Sequence, residues 1–576
     1  MKTVSGYVEN ITFRNEDNGF TVLTLSSGKE DITCTGNFGY IGQGEYVEIE
    51  GEEVFHEIYG KQIKAINYKI VPATDELSLK KYLGSGAIKG LGAVLADRIV
   101  DKFGEDTFRI IEEEPERLAE IRGITTRKAM DISTQLEEKK DMRDVMIFLQ
   151  GYGISPTLST KIFNNYGTRV YDIIKTNPYQ LADDVTGIGF KTADEIARRA
   201  GVEVNASVRI KSGMCYALTE ASLSGHTYLP KEKMVETTIN LLGLRDQYLN
   251  ADGTYNMELL DNCFTELVLE KKLILKEIDD NQAVFLSTFY YTELNIARML
   301  LELNISTPED DYILGVKMDT VEDMSGIHLD DLQRQAVVAT QNNGVSIITG
   351  GPGTGKTTTI NAIIHLFESD GLEVSLAAPT GRAAKRMTEA TGHEAKTIHR
   401  MLEISGGQSD DPELDAKFGR NEQNPLETDV VIVDEMSMVD TFLMHAFLKA
   451  VTVGTRLVFV GDVNQLASVG PGNVLKDIIE SECFKVVRLT KVFRQAGESG
   501  IVTNAHKINE GKEVKLDNSF GDFLYIEREN AQMALNATIG LIKTKLPAYV
   551  GANEMDIQVL TPMRNGILGV NSLNPG

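Results

Sequence analysis

A lysine and a threonine behind a run of glycines carry the first legible chemistry in this sequence. Gly350-Gly351-Pro352-Gly353-Thr354-Gly355-Lys356-Thr357 matches G-x-x-x-x-G-K-[ST] in full. Glycines let backbone N–H groups turn inward around a phosphate. The segment from Gly351, Pro352, Gly353, Thr354 and Gly355 through Lys356, Thr357 and Thr358 is therefore the candidate cradle. Lys356 offers a point charge to β- and γ-phosphates, and Thr357 offers a hydroxyl to Mg²⁺. The chemistry is that of ATP bound with Mg²⁺. Further on, the apolar run 430–433 ends in adjacent carboxylates, Asp434 and Glu435. Asp434 suits a hard cation held through water, and Glu435 suits the orientation and deprotonation of an attacking water. The run 457–460 is likewise followed by polar groups, and Gln465 is placed to sense a γ-phosphate unless it is an ordinary loop amide. Arg494 is the candidate always-charged fork for the charge that develops in phosphoryl transfer.

These groups need a scaffold that gathers them. The phosphate loop follows a short apolar run at 345–348 and precedes Ile360, Ile363, Ile364 and Phe367, which share one face of a helix. From about residue 327 apolar strands alternate with helices, at 345–348, 374–377, 430–433, 457–460 and 557–560. That order predicts a parallel sheet with crossover helices. Ligands of such a sheet bind at the carboxyl ends of its strands, so the Asp434–Glu435 pair is expected to face Lys356.

The chain has 576 residues, too many for one core, and several domains are expected. Its 42% hydrophobic and 25% charged content is that of a globular protein. Cys34, Cys215, Cys263 and Cys483 are scattered, without a C-x-x-C pair, which points to neither a disulfide framework nor a zinc site. The N-terminus lacks a signal-peptide apolar core and no apolar run is long enough for a membrane span, so a cytoplasmic protein is expected. A net charge of −26 argues against a general polyanion binder. It leaves room for nucleic acid held in a local groove by backbone amides, hydroxyls and a few bases.

Residues 1–72 alternate apolar and polar between glycines and predict a small β-barrel of OB type, which serves either oligonucleotide binding or as a structural cap. Residues 79–204 are helical and repeat one short element four times: 88–92, 121–124, 149–154 and 185–189. Gly90 and Gly92 mark the first copy and Gly187 and Gly189 the last. The pattern resembles the helix-hairpin-helix unit, whose glycine turn offers backbone N–H groups to a DNA phosphate. Some copies are equally open to being packing hairpins that touch no DNA. Residues 206–305 predict a helical, winged-helix-like module with strands at 273–275 and 283–286 and a turn at 225–230, where His226 is structural. Residues 306–325 are acidic and poorly patterned and are expected to be a connection.

The motifs together resemble superfamily 1 helicases of the RecD/TraA family, in the long stand-alone form with an N-terminal extension. The resemblance rests on Leu329-Asp330-Asp331-Leu332-Gln333, Ala378-Pro379-Thr380-Gly381-Arg382-Ala383-Ala384-Lys385-Arg386, Thr397-Ile398-His399, Asp434-Glu435-Met436-Ser437-Met438, Gly461-Asp462-Val463-Asn464-Gln465-Leu466, Val492-Phe493-Arg494-Gln495 and Val559-Leu560-Thr561-Pro562-Met563. It implies a multidomain chain in which α/β RecA-like P-loop motor domains follow the small β-barrel and the helical domains. It implies 5′→3′ movement on single-stranded DNA and unwinding of 5′-tailed duplex, in DNA repair or recombination, by a monomer. It also implies that Gln333 reads adenine, that Thr380, Arg382 and His399 contact the single strand, and that the insert between Leu402 and Leu426, with Phe418, is a strand-separating pin. For Phe418 a minor core contact is an equal alternative. The first RecA-like domain is expected at 327–486 and the second, incomplete, at 487–576, because the family pattern continues past Gly576. Rival readings are a DNA-stimulated ATPase or translocase without strand separation, and a binding module that uses ATP as a switch. A relaxase is disfavoured, since the eight histidines form no three-histidine cluster.

Overall fold

A computed structural model describes residues 2–574, apart from 15–19, 27–30, 39–40, 42–44, 57–59, 72–75, 85–87, 204–205, 246–256, 405–417 and 494–498. The chain divides into two compact units, residues 1–222 with 226–290 and residues 223–225 with 291–576.

The first unit begins with a closed five-stranded barrel. Its strands are β1 (Lys2–Arg14), β2 (Phe20–Ser26), β3 (Asp31–Asn37), β4 (Tyr46–His56) and β5 (Gly60–Val71), in the order β1-β2-β3-β5-β4. Only β3 and β5 pair in parallel. Alternation sets the faces: Val47 and Ile49 are buried with Val8, Leu23, Leu25 and Cys34, while Glu48 and Glu50 are exposed. Gly51 sits at a register shift where a Cβ would stand 2.3 Å from the Lys64 carbonyl oxygen, so the closing bulge requires glycine.

The helical region shows why the glycine elements recur. Gly90, Gly123, Gly153 and Gly187 all adopt positive φ. In all four copies the next apolar residue donates its N–H back across the turn: Leu91 to Ile88, Ile124 to Ile121, Ile154 to Leu149 and Ile188 to Val185. The copies form two reciprocal pairs. Leu95 lies against Gly123 and Lys128 against Gly90, and Leu158 lies against Gly187 and Arg199 against Gly153. Beyond Gly92 and Gly189 no described residue lies within 4 Å of where a Cβ would stand, so among the described residues those turns are uncovered. A buried polar knot fixes the last pair: Asp194 accepts from Tyr179 at 2.6 Å and from Arg209 at 2.7 and 3.1 Å.

Three helices, Ser207–Ser222, Lys231–Leu242 and Glu258–Leu269, then pack with a three-stranded antiparallel sheet of β6 (Tyr228–Pro230), β7 (Leu273–Ile278) and β8 (Asn281–Leu286). The Asp279-Asp280 turn, both residues at positive φ, joins β7 to β8. Residues 228–230, expected in a turn, are instead an edge strand, because Leu229 is buried and its neighbours pair with Ala283 and Phe285.

In the second unit, residues 311–325, expected as a connection, form a helix. Asp310 caps it through the N–H groups of Tyr312 and Ile313, and Leu314, Met318 and Val321 bury one stripe despite the acidic surroundings. The motor core is a six-stranded, all-parallel sheet of β9 (Val345–Gly350), β10 (Val374–Ala378), β11 (Ala395–Thr397), β12 (Val430–Val433), β13 (Arg456–Gly461) and β14 (Lys485–Leu489), in the order β11-β10-β12-β13-β9-β14. Val345, Ile347, Val431, Val433, Leu457 and Phe459 face one apolar cluster, and Ile348, Val430, Ile432, Val458, Val460 and Val487 the other. Both faces are covered, as a parallel sheet requires. The sheet runs to Leu489, past the boundary expected at 486. The strand expected at 557–560 does not form: those residues pair with no strand among the described residues, and Leu560 is exposed. An apolar run becomes a strand only where a neighbour completes its ladder.

Candidate active site

The phosphate loop connects β9 to the helix Lys356–Ser369. Gly353 and Gly355 take φ of 75° and 82°, which bend the backbone around an open centre. Thr354 is buried and braces the loop by donating to the Gly351 carbonyl at 2.8 Å. The Lys356 ammonium lies folded against the loop, donating to the carbonyls of Gly350 at 2.6 Å and Gly351 at 3.2 Å. Thr357 is exposed at the start of the helix. The free N–H groups and dipole of that helix start favour an anion at the same place.

The neighbouring strand ends aim at this loop. A cavity of about 650 Å³ is lined by Gly351 to Thr358 together with Asp434, Glu435, Gln465, Arg386 and Phe493. The expected convergence of Asp434, Glu435 and Gln465 on Lys356 is thus present. Asp434 follows β12 directly and accepts from the Glu435 N–H at 2.8 Å. Burial pushes the Asp434 carboxyl above its ordinary range, against the pull of that N–H and of Lys356 and Arg386. Burial raises the Glu435 carboxyl as well, and the charge of Asp434 adds to it. Glu435 has φ 55°, an unusual conformation for a side chain of this size and one that clusters at functional sites. Beyond β13, Asp462 is buried and ties down its own loop by accepting from Asn464 at 3.0 Å, which leaves Gln465 exposed at the cavity.

Gln333 is buried beside the loop rather than free. With Asp330 it forms a capping box, and its Nε2 donates to the Gly355 carbonyl at 3.3 Å. Thr380 caps the helix Gly381–Thr391 by accepting from the Ala383 N–H, and Arg382 on that helix donates to Gln558. His399 is exposed two residues past β11, so Thr380, Arg382 and His399 share the carboxyl-end rim with Asp434. Phe418 is 8% exposed and belongs to the apolar cluster that includes Met401 and Leu402, with its ring centroid 6.2 Å from that of His399. Most of the pin insert, and Arg494, lie outside the described residues. The glycine turns at Gly90, Gly92, Gly187 and Gly189 belong to the other unit. Two lining residues stand inside motifs quoted above without a role assigned to them there. Arg386 projects four residues beyond Arg382 along one helix, and a basic residue one turn into that helix was the available signal. Phe493 packs against Gly355 and donates its N–H to the Gly353 carbonyl at 3.2 Å.

Family comparison agrees with this order of parts. Residues 1–72 match the OB-fold domain of the ATP-dependent DNA helicase YrrC, residues 138–228 the HHH domain of ATP-dependent RecD2 DNA helicases, and residues 328–520 an AAA domain. The ATP-dependent RecD2 DNA helicase of Deinococcus radiodurans is 29% identical over 583 aligned residues, spanning 99% of this chain and 77% of that protein. The chain is RecD2-like. The chain is also 38% identical over 190 residues to the RecBCD enzyme subunit RecD of Mycolicibacterium smegmatis, an alignment spanning 29% of this chain and 33% of that one. The Pif1 helicase of Candida albicans aligns with 37% of this RecD2-like chain and 55% of that chain at 26% identity and a TM-score of 0.27, too little to bear on the fold. No helix among the described residues is long and apolar enough to cross a membrane, and none of their His, Cys, Asp and Glu side chains form a cluster of three suited to a metal.

Proposed function

We propose that this chain is an ATP-dependent 5′→3′ DNA helicase that moves on single-stranded DNA, unwinds 5′-tailed duplexes, and acts as a cytoplasmic monomer in DNA repair or recombination. The observation that carries this reading is the convergence of Lys356, Asp434, Glu435 and Gln465 on one cavity at the carboxyl ends of a parallel sheet. Lys356 leaves the Gly350 and Gly351 carbonyls to meet the β- and γ-phosphates. Glu435, its basicity raised by burial, takes the proton of the attacking water. Gln465 orients that water against the γ-phosphate, and Arg386 offsets the charge that develops there. Gln333 and Phe493, both against Gly355, meet the base, and the N–H groups of the glycine turns hold DNA phosphates without reading sequence. Mg²⁺ fits the donors present: a buried Asp434 carboxylate and an exposed Thr357 hydroxyl, with phosphate oxygens and water completing a hard-cation shell. When bound it would neutralise phosphate charge.

ATP hydrolysis with and without single-stranded DNA, and strand separation on 5′-tailed and 3′-tailed duplexes, test this reading. DNA-stimulated turnover with separation of only the 5′-tailed substrate is expected. Separation of only the 3′-tailed one would overturn the polarity. A translocase that hydrolyses ATP without separating strands is the second reading, and the burial of Phe418 in the core favours it. It predicts DNA-stimulated turnover with both duplexes intact.

A further inference from the structure

The phosphate-loop pattern leaves position 351 free, yet a glycine stands there. The reason is a side chain from far along the chain. His506 lies against Gly351 so closely that a Cβ at 351 would stand 2.8 Å from its Cε1 and 3.5 Å from its Nε2. His506 belongs to the helix Gly500–Asn509, which is held on its opposite side. Asn504, two residues earlier and so about half a turn away, is buried and exchanges hydrogen bonds with the backbone of Lys515 at 3.1 and 3.3 Å. Gly500 is packed under the Phe520 ring and donates its N–H to Asp522 at 2.8 Å. The helix is thus fixed between segment 515–522 and the phosphate loop, with His506 as the contact on the loop side.

The Nε2 atom of His506 is buried and has no hydrogen-bond partner among the described residues. Such an atom calls for a partner in some state of the protein. Gly350 and Gly351 supply one. Both carbonyls accept from the Lys356 ammonium here and lose it when Lys356 turns to a phosphate, while the Gly351 carbonyl also accepts from the Thr354 hydroxyl and keeps that bond. We propose that His506 is a positioning residue of the nucleotide site: its Nε2–H takes over the loop carbonyl that Lys356 releases, so that nucleotide entry tightens the contact between the Gly500–Asn509 helix and the phosphate loop. This inference rests on the reading of Lys356 as a phosphate ligand. It gives the C-terminal part of the motor a direct register of whether the loop is filled.

The experiment is a fluorescent-ATP titration with steady-state ATPase on the wild-type chain, Lys356→Ala, His506→Phe and His506→Gln. His506→Phe keeps a ring of similar size and loses the donor, whereas His506→Gln keeps a donor at the Nε2 position. The expected result is about five- to twentyfold weaker nucleotide binding and a higher KM for His506→Phe, kcat within about twofold, and recovery of most of the loss in His506→Gln, on the scale of one hydrogen bond. Wild-type affinity in His506→Phe, or an equal loss in both His506 variants, overturns the proposal. A bump-and-hole pair provides a second reading that does not depend on the donor. Gly351→Ala is expected to weaken binding through the clash, and Gly351→Ala with His506→Ala to bind better than Gly351→Ala alone. Strictly multiplicative losses overturn the contact itself. Failure of the functional reading looks different: a wild-type chain that binds no nucleotide, or a Lys356→Ala chain that binds as well as wild type.

Discussion

Glu435→Gln sets catalysis against stability. The substitution exchanges a carboxylate for an amide of the same shape, directly after β12 and at the rim of the nucleotide cavity. Burial and the adjacent Asp434 both raise the carboxyl of Glu435, and Lys356 and Arg386 only partly offset them. Without nucleotide, an ionised Glu435 is therefore a charge the fold would be more stable without. Relief of such a site commonly adds ~0.5–2 kcal/mol. For a domain the size of this motor core, ~1 kcal/mol moves Tm by roughly 2–4 °C. The same change removes the proposed base, worth typically ~10²–10⁴-fold in turnover. The backbone at φ 55° is common to both proteins and cancels from the comparison.

The pH dependence fixes the sign. A carboxyl whose pKa is raised in the folded state favours folding in its protonated form. That contribution is fully present below the unfolded-state value, about 4.3 for glutamate, and is lost as pH rises through the raised folded value. The amide has no such loss. The Tm advantage of Glu435→Gln should then be near zero at about pH 4 and grow as pH rises through the raised folded value. Scanning fluorimetry across that range, with ATPase rates at neutral pH, measures both halves. A variant less stable than wild type near pH 7 would refute the account of a strained charge. A loss of turnover below about tenfold would refute Glu435 as the base.

Lys356→Ala should weaken ATP binding by ~10- to 100-fold, the scale of a lost charged hydrogen bond, and stop turnover, while circular dichroism stays unchanged. Asp194→Ala takes the carboxylate partner from the largely buried Arg209 guanidinium and should destabilise the helical unit by ~3–5 kcal/mol, read as an earlier thermal transition with ATP affinity retained. Burial alone would raise the Asp194 carboxyl, but Arg209 and Tyr179 outweigh it and hold the value below normal. Its stabilising contribution is therefore present above the ordinary aspartate range and disappears as pH falls through the lowered value, which acid titration of the same transition follows. Affinity for single-stranded DNA should fall with salt along a slope well short of ~10 neutralised phosphates, because a chain of net charge −26 has few free bases to commit.

Legibility tracked how local each constraint is. The apolar runs at 345–348, 374–377, 430–433 and 457–460 became strands within a residue or two, since each is buried on both faces and flanked by helices that cover it. The run at 557–560 has the same composition and no ladder. Composition supplies the propensity for a strand, whereas the partner is supplied by the rest of the fold. The helix Asp311–Ser325 failed in the opposite direction. Its charges mask a stripe of Leu314, Met318 and Val321 that only burial brings out. The glycine turns of the helical region were legible one by one, but their pairing was not. The contacts of Leu95 with Gly123 and of Leu158 with Gly187 join copies about thirty residues apart.

The same distinction divides the nucleotide site. Residues whose partners are phosphates, a cation or water must occur at fixed spacing, because the ligand sets the geometry, and Lys356, Thr357, Asp434 and Glu435 stand out for that reason. Residues whose partners are other residues have no such spacing. Gln333 is legible as part of a motif, yet its amide is already engaged with Asp330 and with the Gly355 carbonyl. A base reaching this site would therefore compete with a bond that shapes the loop, which ties adenine recognition to loop conformation. The Phe493 ring packs on Gly355, and His506 presses on Gly351. Three side chains from separate segments thus converge on the glycines of one loop, and none of them is called for by the phosphate. A loop that only had to hold phosphate would need its own glycines and nothing else. One that must report its occupancy needs side chains in contact with its backbone, and the glycines at 351 and 355 leave room for them.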